Sequence, residues 1–300
     1  MLRTFRPRRY GKNRLGISAG CCRKRCKKIY NEKLYACDLD VLDVNAMGRF
    51  FPKADKEDII LNFRSHDNSS YNHFFTYPRG GAIEYVYSLL KNIDQDKLSL
   101  NEVLQFVDVE RKVAITNRRE IKYDRLVSTL PFPQLLDICK LVYPDDVFSC
   151  NKVLVFNLGF DSKGNDKLNS WVYVPEKEFI FYRIGYYDNI MNTDRMSLYV
   201  EIGFSQKQEM LKEGLYLDRI LSDLRKMGII TTQKLVDYEA VLMNPAYVHI
   251  NKKSVETVEE YKEILEKNDI YSIGRYGSWT YCSIEDNILE ARELAEKLNK

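Results

Sequence analysis

The period of the hydrophobic pattern predicts the elements of this chain. Between residues 104 and 130 apolar residues form short runs separated by polar turns, and longer runs rich in aromatic and β-branched residues follow between residues 153 and 204. Such runs are typical of strands, so we predict a small meander and then an antiparallel sheet. The predicted strands are Leu104–Val109, Val113–Thr116, Ile121–Tyr123, Leu126–Leu130, Val153–Leu158, Trp171–Val174, Phe179–Tyr187, Met196–Phe204, Lys234–Met243 and Ile270–Ile273.

Helical spacing of apolar residues appears in four segments, at residues 83–93, 217–227, 254–268 and after residue 283. Between Tyr30 and Met47 the pattern has no clean period and predicts a short helix or a loop. Helices alternate with strands, which indicates an α/β fold. The last helix is expected to turn one apolar face inward, made of Ile284, Ile288, Ala291, Ala295 and Leu298.

Charge is balanced over the whole chain but not at its start. Forty-six basic and 43 acidic residues give a formal net charge of +3, which provides little steering towards nucleic acids or anionic membranes. Residues 1–33 are rich in arginine and lysine and contain one acid, Glu32. We interpret residues 1–29 as a basic arm that is disordered or mis-started; a nucleic-acid or lipid-surface tail is the alternative.

The seven cysteines are scattered, odd in number and not accompanied by a hydrophobic signal segment, which favours a reducing, cytoplasmic location. Cys21, Cys22 and Cys26 are close together, but no second CxxC or HxxxH pair follows, so we predict no metal site. No apolar run approaches the roughly 20 residues that span a bilayer. We therefore expect a soluble body that does not bind nucleic acid.

The segment from Ile273 to Asn287 combines a strand end, a glycine-containing turn and a helix start. Ser283 and Asp286 have the spacing of a capping box, and a helix start offers backbone amides to an anion. Gly274 and Gly277 would allow a phosphate to approach the backbone, and Arg275 would supply a cationic fork. On physical grounds alone, a structural strand-to-helix turn explains the pattern equally well.

This Gly-Arg-x-Gly-x-Trp-x-Tyr pattern before a capped helix resembles the carboxy-terminal flavin-contacting motif of UDP-galactopyranose mutases and similar amine-oxidase-like flavoproteins. In that family the Gly-Arg pair and the helix start lie against the diphosphate and ribityl chain of FAD. The resemblance therefore implies a set of FAD contacts in this chain: Gly274, Arg275, Tyr276, Gly277, Trp279, Asp286 and Asn287.

Three further segments resemble the same family, which includes protoporphyrinogen-oxidase-like proteins. They are Tyr77–Gly81, Tyr123–Pro131 and the aromatic strand Phe181–Tyr187, and together with the carboxy-terminal motif they occur in the family's order. The aromatic strand implies Tyr182 and Arg183 as substrate contacts, although a strand with one edge arginine would look the same. No side chain stands out as a catalytic acid, base or nucleophile.

The resemblance breaks at the amino terminus, where the family carries a strand and a Gly-x-Gly-x-x-Gly turn that binds dinucleotides. Gly11, Gly16 and Gly20 have the wrong spacing. We therefore interpret the chain as an amino-terminally truncated member. Two functions stay open: an FAD-dependent oxidoreductase or sugar-nucleotide mutase acting on a small molecule, and a non-catalytic remnant or binding module that has lost the flavin.

The resemblance also implies an interleaved architecture. We expect an FAD/NAD(P)-binding-type domain, incomplete at its amino terminus, formed by residues 76–130 and 270–300. A substrate domain with a mixed or antiparallel sheet would use residues 30–75 and 131–269.

Overall fold

The computed structural model describes residues 2–5, 22–43 and 75–300, and the side chains of residues 2–5 and 22–27 lie outside this description. Most of the predicted basic arm, the three amino-terminal glycines, and residues 44–74 of the expected substrate domain are therefore outside it. Within the basic arm the structure places strand β1 (Leu2–Phe5) and the first part of helix α1 (Cys22–Tyr35). No helix in the described ranges is both long enough and apolar enough to cross a membrane.

The chain divides into two compact units, and both are assembled from separate stretches of sequence. Unit 1 comprises residues 1–39, 49–92 and 151–246, and unit 2 comprises residues 40–48, 93–150 and 247–300. The division into a flavin part and a substrate part, with the bounds inferred from sequence, stays a prediction.

Unit 1 contains a five-stranded antiparallel sheet. In spatial order its strands are β11 (Leu235–Met243), β7 (Asn151–Phe160), β10 (Ser197–Ser205), β9 (Arg183–Tyr186) and β8 (Trp171–Tyr173). One face packs on helix α5 (Glu213–Lys226), whose Tyr216, Ile220 and Leu224 are buried. A two-stranded antiparallel ribbon joins β1 to β2 (Phe75–Pro78), and helix α2 (Ile83–Leu90) follows the ribbon. Helix α4 (Tyr187–Met191) lies between β9 and β10 in the chain.

The carboxy-terminal end of α1 is held by the side chain of Lys33. Its Nζ donates to four backbone carbonyl oxygens, those of Val174 (2.8 Å), Glu176 (2.9 Å), Phe179 (3.0 Å) and Phe181 (2.6 Å). These carbonyls belong to the connection between β8 and β9. Lys33 therefore satisfies backbone acceptors that no sheet ladder reaches.

The same helix end lies directly on β10. A Cβ at Gly203 would lie 2.2 Å from the carbonyl oxygen of Lys33, so only glycine allows this approach. The carbonyl of Leu34 accepts a hydrogen bond from Asn151 Nδ2 at 2.5 Å, and Asn151 is fully buried. The close contact at Gly203, the amide of Asn151 and the ammonium group of Lys33 together fix α1 on the sheet.

In its described residues, unit 2 contains two small sheets and four α-helices. Strands β3 (Leu104–Asp108), β4 (Val113–Thr116) and β5 (Glu120–Lys122) form the antiparallel meander, and β6 (Leu126–Ser128) pairs in parallel with β12 (Ile270–Ser272). The helices are α3 (Phe132–Ile138), α6 (Lys252–Glu266), α7 (Gly274–Gly277) and α8 (Ile284–Leu298). Phe132, Leu135 and Leu136 of α3 are completely buried in the core of this unit.

The structure confirms the mixed α/β class, the meander, the antiparallel sheet and the four predicted helical segments, with three corrections. Residues 179–182, predicted as strand, lie outside β9. The backbone of residues 179–181 binds side chains: two carbonyls accept from Lys33, and the N–H of Ile180 donates to Asp223 Oδ2 at 2.9 Å. Helices α3, α4 and α7 were not predicted, and Tyr187, predicted as the end of a strand, begins α4. Helix α3 begins after Pro131 and carries a proline in its first turn, where the missing N–H costs nothing.

The third correction concerns the face that α8 turns inward. Ile284, Ile288, Ala291 and Ala295, predicted as the inner face, are exposed, and of that set only Leu298 is partly buried. The partly buried positions of this helix are Asp286, Asn287, Glu290, Leu294 and Leu298. The helix is therefore attached to unit 2 largely through polar side chains.

Replacing Lys33 with methionine should destabilise unit 1, because four backbone carbonyls would lose a charged donor. We expect the free energy of unfolding to fall by about 2–4 kcal/mol. Urea unfolding of the purified chain measures this quantity. Lys177→Met is the control, since Lys177 is 70% exposed and lies 3.6 Å from Glu32; an equal effect of both substitutions would contradict the structural role of Lys33.

The stability contributed by Lys33 should also depend on pH. Burial lowers the pKa of Lys33 from 10.5 to about 8, against the opposing attraction of Glu176 and Asp223. Between these two values the unfolded chain binds a proton that the folded chain has released, so this group makes the free energy of unfolding rise with pH. Urea unfolding at several pH values in this window should show the free energy of unfolding rising more steeply with pH for the native chain than for Lys33→Met. Equal slopes for the two chains would exclude the effect.

Candidate functional site

The end of β12 and the turn after it form a tightly packed segment. Ser272 Oγ donates to the carbonyl of Gly277 at 2.8 Å. A Cβ at Gly277 would lie 3.0 Å from Ser272 Oγ and 3.2 Å from the carbonyl oxygen of Ser128. Gly274 has φ +84°, in the left-handed region that favours glycine. The turn therefore favours glycine at position 274 through its backbone conformation, and at position 277 a side chain would crowd Ser272 and Ser128.

Two backbone amides of this turn, expected to be open to an anion, are occupied. The N–H of Gly274 donates to Glu290 Oε2 at 2.7 Å, and the N–H of Arg275 donates to Asn287 Oδ1 at 3.1 Å. Both acceptors project from α8. The amides therefore attach the turn to the helix, and a phosphate could reach them only by displacing these side chains.

Glu290 is a site residue that the sequence did not reveal. Its Oε1 accepts a hydrogen bond from Ser278 Oγ at 2.6 Å, and Ser278 Oγ accepts one from Lys262 Nζ at 2.7 Å. Lys262 also lies 3.6 Å from the Glu290 carboxylate. The sequence feature that could have identified Glu290 is its spacing, because positions 283, 287 and 290 lie on one side of a helix.

The start of α8 has the predicted capping box. Ser283 Oγ accepts from the N–H of Asp286 at 3.2 Å, and Asp286 Oδ2 accepts from the N–H of Ser283 at 2.7 Å. Asn287 Nδ2 donates to the carbonyl of Ser283 at 3.1 Å. Asp286 and Asn287 are thus engaged in holding the helix start and the turn, and their contact with a cofactor stays a prediction.

The side chain of Arg275 lies against three tyrosine rings. Its Cζ is 4.4 Å from the ring centre of Tyr281, 5.3 Å from that of Tyr247 and 6.0 Å from that of Tyr276. The rings of Tyr247 and Tyr281 are nearly parallel, with centres 5.9 Å apart and an angle of 13°. Within the described residues no carboxylate lies within 4 Å of the guanidinium. Cation–π contacts orient the charge of Arg275 without neutralising it.

Trp279 anchors the segment in the core of unit 2. Its side chain is 5% exposed, and its ring centre is 5.3 Å from that of Phe148. Its φ of +46° is unusual for a bulky residue. The indole Nε1 is buried and has no acceptor in the part of the chain that the structure describes. Burial of Trp279 therefore fixes the direction in which the following residues leave the turn.

Tyr182 and Arg183, the predicted substrate contacts, lie in unit 1 and share one carboxylate. Tyr182 is fully buried, and its hydroxyl donates to Glu201 Oε2 at 2.5 Å. Arg183 donates to both oxygens of Glu201, at 2.5 and 2.7 Å, and its side chain is about one quarter exposed. Glu201 therefore balances the charge of Arg183, while Tyr182 orients Glu201 from the core.

The sheet face that carries Arg183 is aromatic. Tyr199 lies opposite Gly185 on the neighbouring strand, and Trp171 lies opposite Gly185 on its other side. A Cβ at Gly185 would be 1.8 Å from the Tyr199 ring, so the ring occupies the space above the glycine. Burial raises the pKa of Tyr199 and of the neighbouring Tyr187, which keeps both phenols protonated. This surface offers rings and hydroxyl groups beside one compensated arginine.

With these features in place, the comparison with known proteins becomes informative. Residues 34–251 match the sequence profile of the flavin-containing amine oxidoreductases. This match covers well over half of the chain, and the protein therefore belongs to that family. No curated protein matches the chain at a significant level.

Solved structures show the same fold. Reduced UDP-galactopyranose mutase superposes with a TM-score of 0.75 and 23% identity over 85% of this chain. A putative protoporphyrinogen oxidase from Exiguobacterium superposes with a TM-score of 0.63 and 14% identity over 75% of this chain. A CLA-producing fatty acid isomerase from P. acnes superposes with a TM-score of 0.62 and 12% identity over 92% of this chain. The chain spans only 60%, 52% and 63% of the lengths of these three proteins.

Removing the Glu290 carboxylate should loosen the turn, because Gly274 and Ser278 would lose their acceptor. For Glu290→Ala we expect the free energy of local opening to fall by about 2 kcal/mol, which corresponds to about 30-fold faster exchange of the Gly274 amide hydrogen. Hydrogen exchange, and trypsin cleavage after Arg275, measure this. Glu293→Ala, an exposed position on the same helix, is the control; unchanged exchange in Glu290→Ala would mean that the turn holds without the carboxylate.

Proposed function

We propose that this chain binds FAD at the segment from Gly274 to Asn287 and forms part of an FAD-dependent oxidoreductase or sugar-nucleotide mutase. The family match and the fold support a flavoprotein. The observation that carries the choice of site is the guanidinium of Arg275, which packs on tyrosine rings and has no carboxylate partner among the residues that the structure describes. A buried or oriented cation without a carboxylate partner is suited to an anionic ligand.

In this segment the side chain of Arg275, and not the backbone amides of the turn, would bind a diphosphate. An arginine fork can bind two phosphate oxygens at once, and three tyrosine faces restrict the orientations that Arg275 can take. The parallel rings of Tyr247 and Tyr281 add a flat surface beside it. The amides of Gly274 and Arg275, already bonded to Glu290 and Asn287, would hold the turn in shape and would not contact phosphate.

The remaining predicted contacts have supporting roles in this proposal. Gly274 and Gly277 allow the turn, Trp279 anchors it, and Asp286 and Asn287 connect it to α8. Tyr276 offers one of the ring faces around the arginine. When bound, FAD would supply the electron-transfer chemistry, and this segment would position it.

For the substrate we propose a small polar molecule such as a sugar nucleotide. The aromatic sheet face of unit 1, with Arg183 and its buried support Tyr182, offers stacking surface and guanidinium hydrogen bonds. Because Glu201 compensates Arg183, we expect this face to contact the hydroxyl and carbonyl groups of such a substrate and not its diphosphate. The predicted reducing, cytoplasmic location and the lack of nucleic-acid binding belong to the same proposal.

The second candidate function is a non-catalytic binding module without flavin. One observation favours it: the two turn amides are satisfied internally by Glu290 and Asn287, as expected of a turn that is complete without a ligand. The two candidates differ in one measurable property, the retention of FAD.

The absorbance spectrum of the purified chain, recorded after incubation with FAD and desalting, tests the first candidate. We expect retained flavin absorbance, and a loss of affinity of about 10- to 100-fold in Arg275→Ala because a charge-assisted contact is removed. Arg292→Ala is the control, since Arg292 is an exposed arginine on α8 that contacts Glu296. A colourless native chain that is folded would reject the flavoenzyme and favour the binding module.

A further inference from the structure

A carboxylate lies beside the candidate anion site without pairing with its arginine. Glu290 Oε2 accepts a hydrogen bond from the N–H of Gly274, the residue directly before Arg275. The guanidinium of Arg275 packs on tyrosine rings, and no carboxylate of the described residues lies within 4 Å of it. Opposite charges attract each other over such short distances. Other contacts must therefore hold the Glu290 carboxylate away from the guanidinium.

The thiol of Cys282 shows that these charges are neighbours. Burial raises the pKa of this thiol; the positive charge of Arg275 opposes the rise, and the negative charges of Asp286 and Glu290 add to it. Arg275 and both acids therefore lie within electrostatic range of one group. Asp286 is engaged in the capping box, where its Oδ2 accepts from the N–H and the hydroxyl of Ser283 at 2.7 and 2.8 Å. Glu290 is the acid that a changed hydrogen-bond network could release towards Arg275.

Three groups hold the Glu290 carboxylate on the turn. The N–H of Gly274 donates to Oε2 at 2.7 Å, and the hydroxyl of Ser278 donates to Oε1 at 2.6 Å. Lys262 of α6 is the third group: its Nζ lies 3.6 Å from Oε1 and donates to Ser278 Oγ at 2.7 Å. Of these three, Lys262 alone carries a charge, and its side chain is about one quarter exposed. Lys262 therefore balances the charge of Glu290 in a place where water screens the pair only in part.

We propose that Lys262 is a positioning residue for the anion site: it holds and neutralises Glu290, so that Arg275 can bind an external anion. This inference rests on the function proposed above, in which that anion is the diphosphate of FAD. Without Lys262, Glu290 would be an internal competitor. Its carboxylate would leave the Gly274 amide and pair with Arg275, and wherever it remained on the turn its charge would repel a diphosphate.

Replacing Lys262 with methionine removes the ammonium group and keeps an unbranched apolar side chain. We expect the affinity for FAD and for inorganic pyrophosphate, measured by equilibrium dialysis, to fall about tenfold, because the charge of Glu290 is no longer balanced. Exchange of the Gly274 amide hydrogen should become about tenfold faster, because its acceptor moves away. Lys253→Met is the matched control, since it makes the same change at an exposed position of α6.

A second substitution separates positioning from a general loss of stability. Glu290→Gln in the Lys262→Met background removes the competing charge, and the new amide group can accept from the Gly274 N–H and donate to Ser278 Oγ. We expect this double variant to recover the affinity for both ligands and the slow exchange of the Gly274 amide. Damage to the fold caused by Lys262→Met would not be repaired by a change of charge at position 290.

The exchange measurement needs no flavin, so the inference and the proposed function can fail separately. A native chain that binds FAD, with equal affinity in Lys262→Met, would overturn the role of Lys262 and leave the cofactor site intact. A double variant that stays as weak as Lys262→Met, or an equal effect of Lys253→Met, would also overturn it. A native chain that binds neither ligand would reject the cofactor site, while faster Gly274 exchange in Lys262→Met would still support the placement of Glu290 by Lys262.

Discussion

The fold of unit 1 depends on the contact between the Lys33 ammonium and four backbone carbonyls. Four carbonyls of the connection between β8 and β9, those of Val174, Glu176, Phe179 and Phe181, converge on Nζ at 2.6 to 3.0 Å. A charged donor is strong enough to replace the missing strand partners in a half-buried place. Since α1 also lies against Gly203, the ammonium joins the helix, the connection and the sheet in one arrangement. The positions of Tyr182 and Arg183 follow directly from that connection.

Unit 2 uses a similar device at the candidate cofactor segment. Carboxylate and amide side chains of α8 bind the backbone of the turn after β12, and Lys262 extends the network through Ser278. Polar groups that the sequence analysis assigned to cofactor binding are thus hydrogen-bonded within the protein. Arg275 differs, because its guanidinium packs on tyrosine rings and meets no carboxylate in the described part of the chain. A flavin site here would be organised around one side chain, with the turn as its rigid support.

Much of the architecture follows from local pattern. Strands β3 to β12, with the exception of β9, agree closely with the predicted runs, because alternating and β-branched segments indicate burial on a sheet. The capping box of Ser283 and Asp286 was predicted for the same reason: its partners are three residues apart and require no distant contact. Failures occurred where distant groups intervene. Phe179 and Phe181 look like strand residues, but Lys33, more than 140 residues away, binds their carbonyls.

The sequence by itself determined the fold class, the order of elements and the resemblance to flavin-containing amine oxidoreductases, since periodicity and motif order are local properties. Tertiary structure alone decided which side of each element is buried and which polar groups are already bonded. Helix α8 shows the difference: its apolar stripe predicted an inner face, but Asn287 and Glu290 bind the turn and place that stripe on the surface. Hydrogen bonds between segments distant in sequence leave no periodic signal, so they become visible only in the folded chain.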